Sequence, residues 1–121
     1  MYSNEFQKLK QSIADIAVEA WRFRRIFVRA MQKLDAGDST RYLNQFAWFM
    51  KKVDSALKEA KLRVINVEGQ PFEAGMAVTP LNIDEFSTAD MLYVEQMLEP
   101  IIMDNESIVK IGTVLLGRVE R

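Results

Sequence analysis

Arg63-Val64-Ile65-Asn66-Val67-Glu68-Gly69-Gln70-Pro71-Phe72 marks the point where the chain changes structural class. Its opening residues are short and rich in β-branched side chains, which favours an extended strand. Gly69 and Pro71 then force a turn. Helical spacing of apolar residues runs up to Leu62 and stops there. A helical region at 1–62 followed by a small β-rich region at 63–121 is therefore expected, an α+β chain of 121 residues.

Upstream of that junction, Phe6, Leu9, Ile13, Ile16, Ala20, Phe23, Phe27, Ala30 and Leu34 repeat at alternating spacings of three and four. That spacing predicts one helix of about eight turns with a heptad seam. Ser3 stands as its N-cap, and Asp35-Ala36-Gly37-Asp38 supplies stop signals. Ala17, Trp21, Val28 and Met31 widen the apolar stripe beyond a two-stranded seam. After Ser39 the same spacing returns at Leu43, Phe46, Met50, Val53, Leu57 and Ala60, broadened by Tyr42, Trp48 and Phe49. A helical hairpin follows, with more apolar surface than one partner helix covers. Pairing of two copies into a homodimeric four-helix bundle through Phe23, Phe27, Phe46 and Met50 would bury the rest; plain intrachain core is the alternative for any one of them.

Downstream, Met76-Ala77-Val78-Thr79 reads as a short strand that Pro80 ends or holds at an edge, and Leu81 to Ser87 as a connecting loop. The segment 88–99 is ambiguous. Ser87 with Asp90 imitates a capping box and propensity leans to helix, while Leu92 to Leu98 also fits a strand. Asp104-Asn105-Glu106 gives a turn into a last strand, Ile108 to Leu116, expected to be central in its sheet.

Composition narrows the function classes. The chain has no histidine and no cysteine, which removes thiol nucleophiles, imidazole acid–base chemistry, disulfides and the usual zinc ligands. It also has no glycine-rich phosphate loop and no Gly-x-Ser-x-Gly elbow. Asp84-Glu85 and Asp104/Glu106 are the nearest approach to paired carboxylates, and both sit among turn-forming residues, where solvated loop acids are expected. No enzyme, metal or cofactor is expected. Lysine plus arginine number 16 against 17 acids, so the molecule as a whole has no strong attraction to nucleic acid or anionic lipid. Arg22, Arg25, Arg29 and Lys33 do line one helical face, without interleaved aromatics to stack on bases. An acidic protein partner suits them better than nucleic acid. Met1 to Glu5 lacks a basic and apolar leader, and no run approaches the roughly 20 apolar residues of a membrane span, so a soluble cytoplasmic protein is expected.

The β half resembles the small β domain of GrpE-type nucleotide exchange factors. The resemblance rests on Val64-Ile65, Glu68-Gly69-Gln70-Pro71-Phe72-Glu73 and Ala77-Val78 in its first part, and on Asn105-Glu106-Ser107-Ile108-Val109-Lys110 with Val114-Leu115-Leu116 at its end. It covers roughly the last half of the chain, and the helical half only in general character. Gly75-Met76 replaces the His-Glu pair common in the family, Glu99-Pro100-Ile101-Ile102 stands at a usual Lys-Gly-Tyr step, and the long N-terminal helix of typical members is mostly missing. A divergent, shortened member is implied, and on this alignment Leu92 to Glu99 is a strand.

What the resemblance implies is a homodimeric co-chaperone that presses its β domain against a DnaK-type chaperone ATPase and opens the cleft so that ADP leaves. Gly69, Pro71 and Phe72 would set the angle of the β domain, and Met76, Val78, Lys110 and Val114 would face the partner, although Val78 and Val114 also fit a core. The departures from the family pattern leave an alternative, an adaptor or structural subunit that keeps the fold without exchange activity.

Overall fold

Asp35 is where the chain turns back on itself. In the computed structural model, which describes residues 4–120, helix α1 (Asn4–Met31) ends in a tightened turn. The amides of Gln32, Lys33 and Leu34 each donate to the carbonyl three residues earlier. Asp35 then has extended backbone, and its Oδ1 accepts from the Asp38 amide at 2.8 Å, so it caps helix α2 (Ala36–Glu59). The 35–38 segment expected to stop the first helix thus starts the second, because an aspartate next to free helical amides is a better cap than terminator. Leu34 accordingly leaves the helix, and the expected cap Ser3 lies outside the described residues.

The chain divides into two compact units, Met1–Leu62 and Arg63–Arg121. In the first, α1 and α2 pack through an aromatic cluster. Phe27 and Phe46 stack with ring centroids 4.8 Å apart, while Phe23 and Phe49 flank Phe46 at 5.9 Å. Ala14, Ala17, Val18 and Ala20 of α1 and Leu57 of α2 are buried. Helix α2 closes in a Schellman motif: Lys61 adopts φ 59°, its amide donates to the Lys58 carbonyl, and the Leu62 amide donates to Leu57. Leu57 and Leu62, the apolar pair that accompanies this motif, are both buried.

The second unit holds strands β1 (Arg63–Ile65), β2 (Val78–Pro80), β3 (Leu92–Glu99), β4 (Ile101–Met103), β5 (Ile108–Lys110) and β6 (Gly112–Arg118). They form two three-stranded sheets, in the orders β1-β4-β5 and β2-β6-β3. One long antiparallel hairpin runs through both. Its first arm is β3 and β4, broken at buried Pro100; its second is β5 and β6, broken at Ile111. Asp104 makes the tip, with Oδ1 accepting from the amides of Glu106 at 2.8 Å and Ser107 at 2.7 Å. The single closing strand expected from Ile108 to Leu116 is therefore two strands in different sheets. Only β6 is central; β5 is an edge.

Residues 88–99 resolve in favour of the strand. The reciprocal bonds that imitate a helix cap are present, with Asp90 Oδ2 accepting from the Ser87 amide at 2.9 Å and Ser87 Oγ from the Ala89 amide at 3.0 Å. They close a local turn, after which Leu92 to Glu99 pairs with β6. Upstream, β2 starts at Val78 instead of Met76 and takes in Pro80 as its last residue, and the connecting loop contains a 3₁₀ turn at Ile83–Glu85. The core of this unit comprises Val67, Val94, Met97, Ile101, Ile102, Val114 and Leu116.

Candidate partner-binding surface

The stretch Glu68 to Phe72 is bound along the free edge of β3 over its whole length. The Gly69 amide donates to the Val94 carbonyl at 2.8 Å, the Val94 amide to Gln70 at 2.9 Å, and the Phe72 amide to Leu92 at 2.9 Å. Pro71 sits opposite Tyr93 in an isolated bridge, a position where proline's missing donor costs nothing. Before this ladder the chain turns at Val67–Gln70. Gly69 takes φ 88° there and the Gln70 amide donates to Val67, as in a type II turn. A second turn of this kind follows at Glu73–Met76 around Gly75, with φ 103°, and the Met76 sulfur accepts from the Glu73 amide at 3.2 Å. Glu68 completes the fixation, accepting from the Met97 amide at 2.8 Å.

The residues singled out in the β unit fall at two separate places. Gly69, Pro71 and Phe72 flank β3, whereas Val78 belongs to β2 on the opposite side of the same sheet, with β3 and β6 between them. Met76 and Val78 bracket Ala77, whose carbonyl accepts from the Gly112 amide at 2.9 Å. Lys110 lies two residues before that glycine and is half-buried, like Met76 and Val78. Val114 is fully buried in the middle of its sheet and serves the core. Beside this group the sequence reading passed over Ile111, 59% exposed at the break between β5 and β6, and exposed Leu81 just beyond β2. Ile111 is hidden in an apolar run, and only the sheet switch turns it outward.

In the helical unit Phe27, Phe46 and Met50 are half-buried and Phe23 is 49% exposed. Phe6, Leu9 and Ile16 on the heptad seam also remain exposed, so α2 does not cover it. Arg22 and Arg29 are exposed and Arg25 is half-buried; Arg22 faces Glu19 at 3.9 Å. An open groove of about 340 Å³ is lined by Asp15, Ile16, Glu19, Ala20, Phe23 and Phe49.

Among the described residues no group of His, Cys, Asp or Glu side chains is placed to hold a metal ion, and no helix is long and apolar enough to cross a membrane. No protein-family model, no curated protein and no solved structure matches the chain.

Proposed function

We propose that the protein is a GrpE-like nucleotide exchange co-chaperone that promotes ADP release from a DnaK-type chaperone ATPase in the cytoplasm, acting as a homodimer joined through its helices. The order of elements supports this reading: a helical hairpin, a short strand, a Glu-Gly-x-Pro-Phe segment, and a β unit closed by a hairpin with an Asn105-Glu106-Ser107 tip. The observation that carries it is the set of backbone hydrogen bonds and the bridge that fasten Gly69 to Phe72 along β3, the kind of fixation a wedge needs. Exposed apolar residues along α1 support pairing with a second copy.

Exchange needs no catalytic group. A protein that binds the open ATPase more tightly than the closed one lowers ADP affinity by the same factor, about tenfold for each 1.4 kcal/mol of difference. Met76, Val78 and Lys110 beside Ile111 offer a mixed apolar and basic contact surface, and Arg22, Arg25 and Arg29 offer charge to an acidic partner.

Release of labelled ADP from the DnaK-type ATPases of the source cell, with and without the protein, tests the reading. Faster release from one of them names the partner. Binding without acceleration favours an adaptor that keeps the fold, a second reading motivated by Gly75-Met76 and by Pro100 at the sheet switch, where the family pattern differs. Absence of binding to every such ATPase would rule out the exchange reading and leave the fold resemblance without functional content.

A further inference from the structure

Trp48 is a large aromatic side chain that the helical hairpin leaves in solvent. It is 64% exposed, about 160° around α2 from Phe46, on an otherwise polar face. Lys51 and Lys52 both hold their ammonium groups over its ring, at 5.8 and 5.7 Å from the centroid. A tryptophan flanked by two cations, one helical turn on, is a basic apolar knob. Its adjacent residue Phe49, about 100° around the helix, lines the 340 Å³ groove. The floor and walls of that groove are Ile16, Ala20, Phe23 and Phe49, and its two charged lining residues, Asp15 and Glu19, are acids. Both acids are exposed at the groove: Asp15 accepts from Gln11 Nε2 at 3.5 Å and Glu19 faces Arg22 at 3.9 Å.

Knob and groove are thus complementary in both polarity and charge, and one chain carries both. We propose that in the homodimer Trp48 of each copy seats in the groove of the other, with Lys51 and Lys52 against Asp15 and Glu19. The inference rests on the self-association in the reading above and specifies its contact. A two-fold axis between knob and groove makes the two insertions equivalent, which is how an isologous interface closes. Buried tryptophan is the side chain that most often dominates such a contact. The same seating covers Ile16 and Phe23, which the hairpin leaves to solvent. Opposite charges at the rim fix which face meets which.

Sedimentation of the full chain from roughly 1 to roughly 100 µM, a range that brackets dissociation constants worth about 5 to 8 kcal/mol, provides the test. The unsubstituted protein should sediment as a dimer, and Trp48→Ala should raise its dissociation constant tenfold or more. The double variants D15K/E19K and K51E/K52E should each be monomeric with unchanged helical circular dichroism, since all four side chains are exposed. Mixed in equal amounts they should form a heterodimer, because the swapped groove and the swapped knob match while the unswapped pair still matches. Dimers that survive both double variants, or variants that stay monomeric when mixed, would overturn the knob-in-groove contact while leaving dimerisation and ADP release standing. A monomer at every concentration would overturn both the contact and the homodimer.

Discussion

Asn82 extends the sheet beyond the end of β2 by pairing its side-chain amide with the backbone of Leu116. Its Nδ2 donates to the Leu116 carbonyl at 3.0 Å and its Oδ1 accepts from the Leu116 amide at 2.9 Å. Pro80 ends β2 two residues earlier, so without this amide both polar groups of a nearly inaccessible residue would lack a partner on that side. Replacing Asn82 by alanine should cost about 1–3 kcal/mol. Asn82→Asp should not restore the loss at neutral pH, because a carboxylate accepts from the amide but cannot donate to the carbonyl. Denaturant unfolding and hydrogen exchange at the Leu116 amide measure both.

Glu68 acts on Met97 in a related way, through its carboxylate. Glu68→Ala strips the Met97 amide of its acceptor beside a fully buried side chain and should cost about 1–3 kcal/mol. Glu68→Gln retains an acceptor oxygen and should recover most of it. Equal losses in the two variants, read from denaturation midpoints, would show that the bond is not the cause.

Gly117 faces Tyr93 across the β3–β6 ladder, and a Cβ there would lie 2.7 Å from Tyr93 Cε1. Gly117→Ala should force the ring aside and destabilise the unit by about 1–3 kcal/mol. With Tyr93→Leu already in place the same change should cost clearly less, the non-additivity expected of two residues in contact.

Phe27 and Phe46 stack across the helical hairpin with ring centroids 4.8 Å apart. A double-mutant cycle to alanine, followed by helical circular dichroism on heating, should give a coupling of about 0.5–1.5 kcal/mol. A coupling near zero would mean that the stack does not hold the helices together.

Lys61 carries a positive φ at the C-terminus of α2 in the position glycine favours. Lys61→Gly should raise stability by about 1 kcal/mol, since the Cβ penalty disappears. Lys61→Ala keeps the Cβ and should give no such gain; both are read from thermal midpoints.

Leu92 to Glu99 shows why part of the fold escaped local reading. Bulges between Val94 and Gln96 and between Met97 and Glu99 each insert one residue into the strand. Buried positions therefore recur at Val94, Met97 and Pro100, every third residue, which in sequence is the spacing of a helix. Only the register against β6 separates the two. The candidate surface is similar: Met76, Val78 and Lys110 draw attention by motif position, but the pairing of Ala77 with Gly112 is what sets β2 beside the start of β6, and the switch between sheets is what turns Ile111 outward. No local pattern marks Asn82 as a strand mimic, since its partner lies 34 residues away.

Spacing, capping and backbone freedom within a few residues are enough to fix the two helices, the change of class after Leu62, the turn at Gly69 and the hairpin tip at Asp104. The tertiary structure decided that 92–99 is a strand, that the closing segment divides between two sheets at Ile111, that Val114 is core, and that Trp48 stands outside while Phe46 stays within. Those outcomes depend on hydrogen-bond register and burial between distant segments, where pairing free energy outweighs local propensities worth only about 1 kcal/mol.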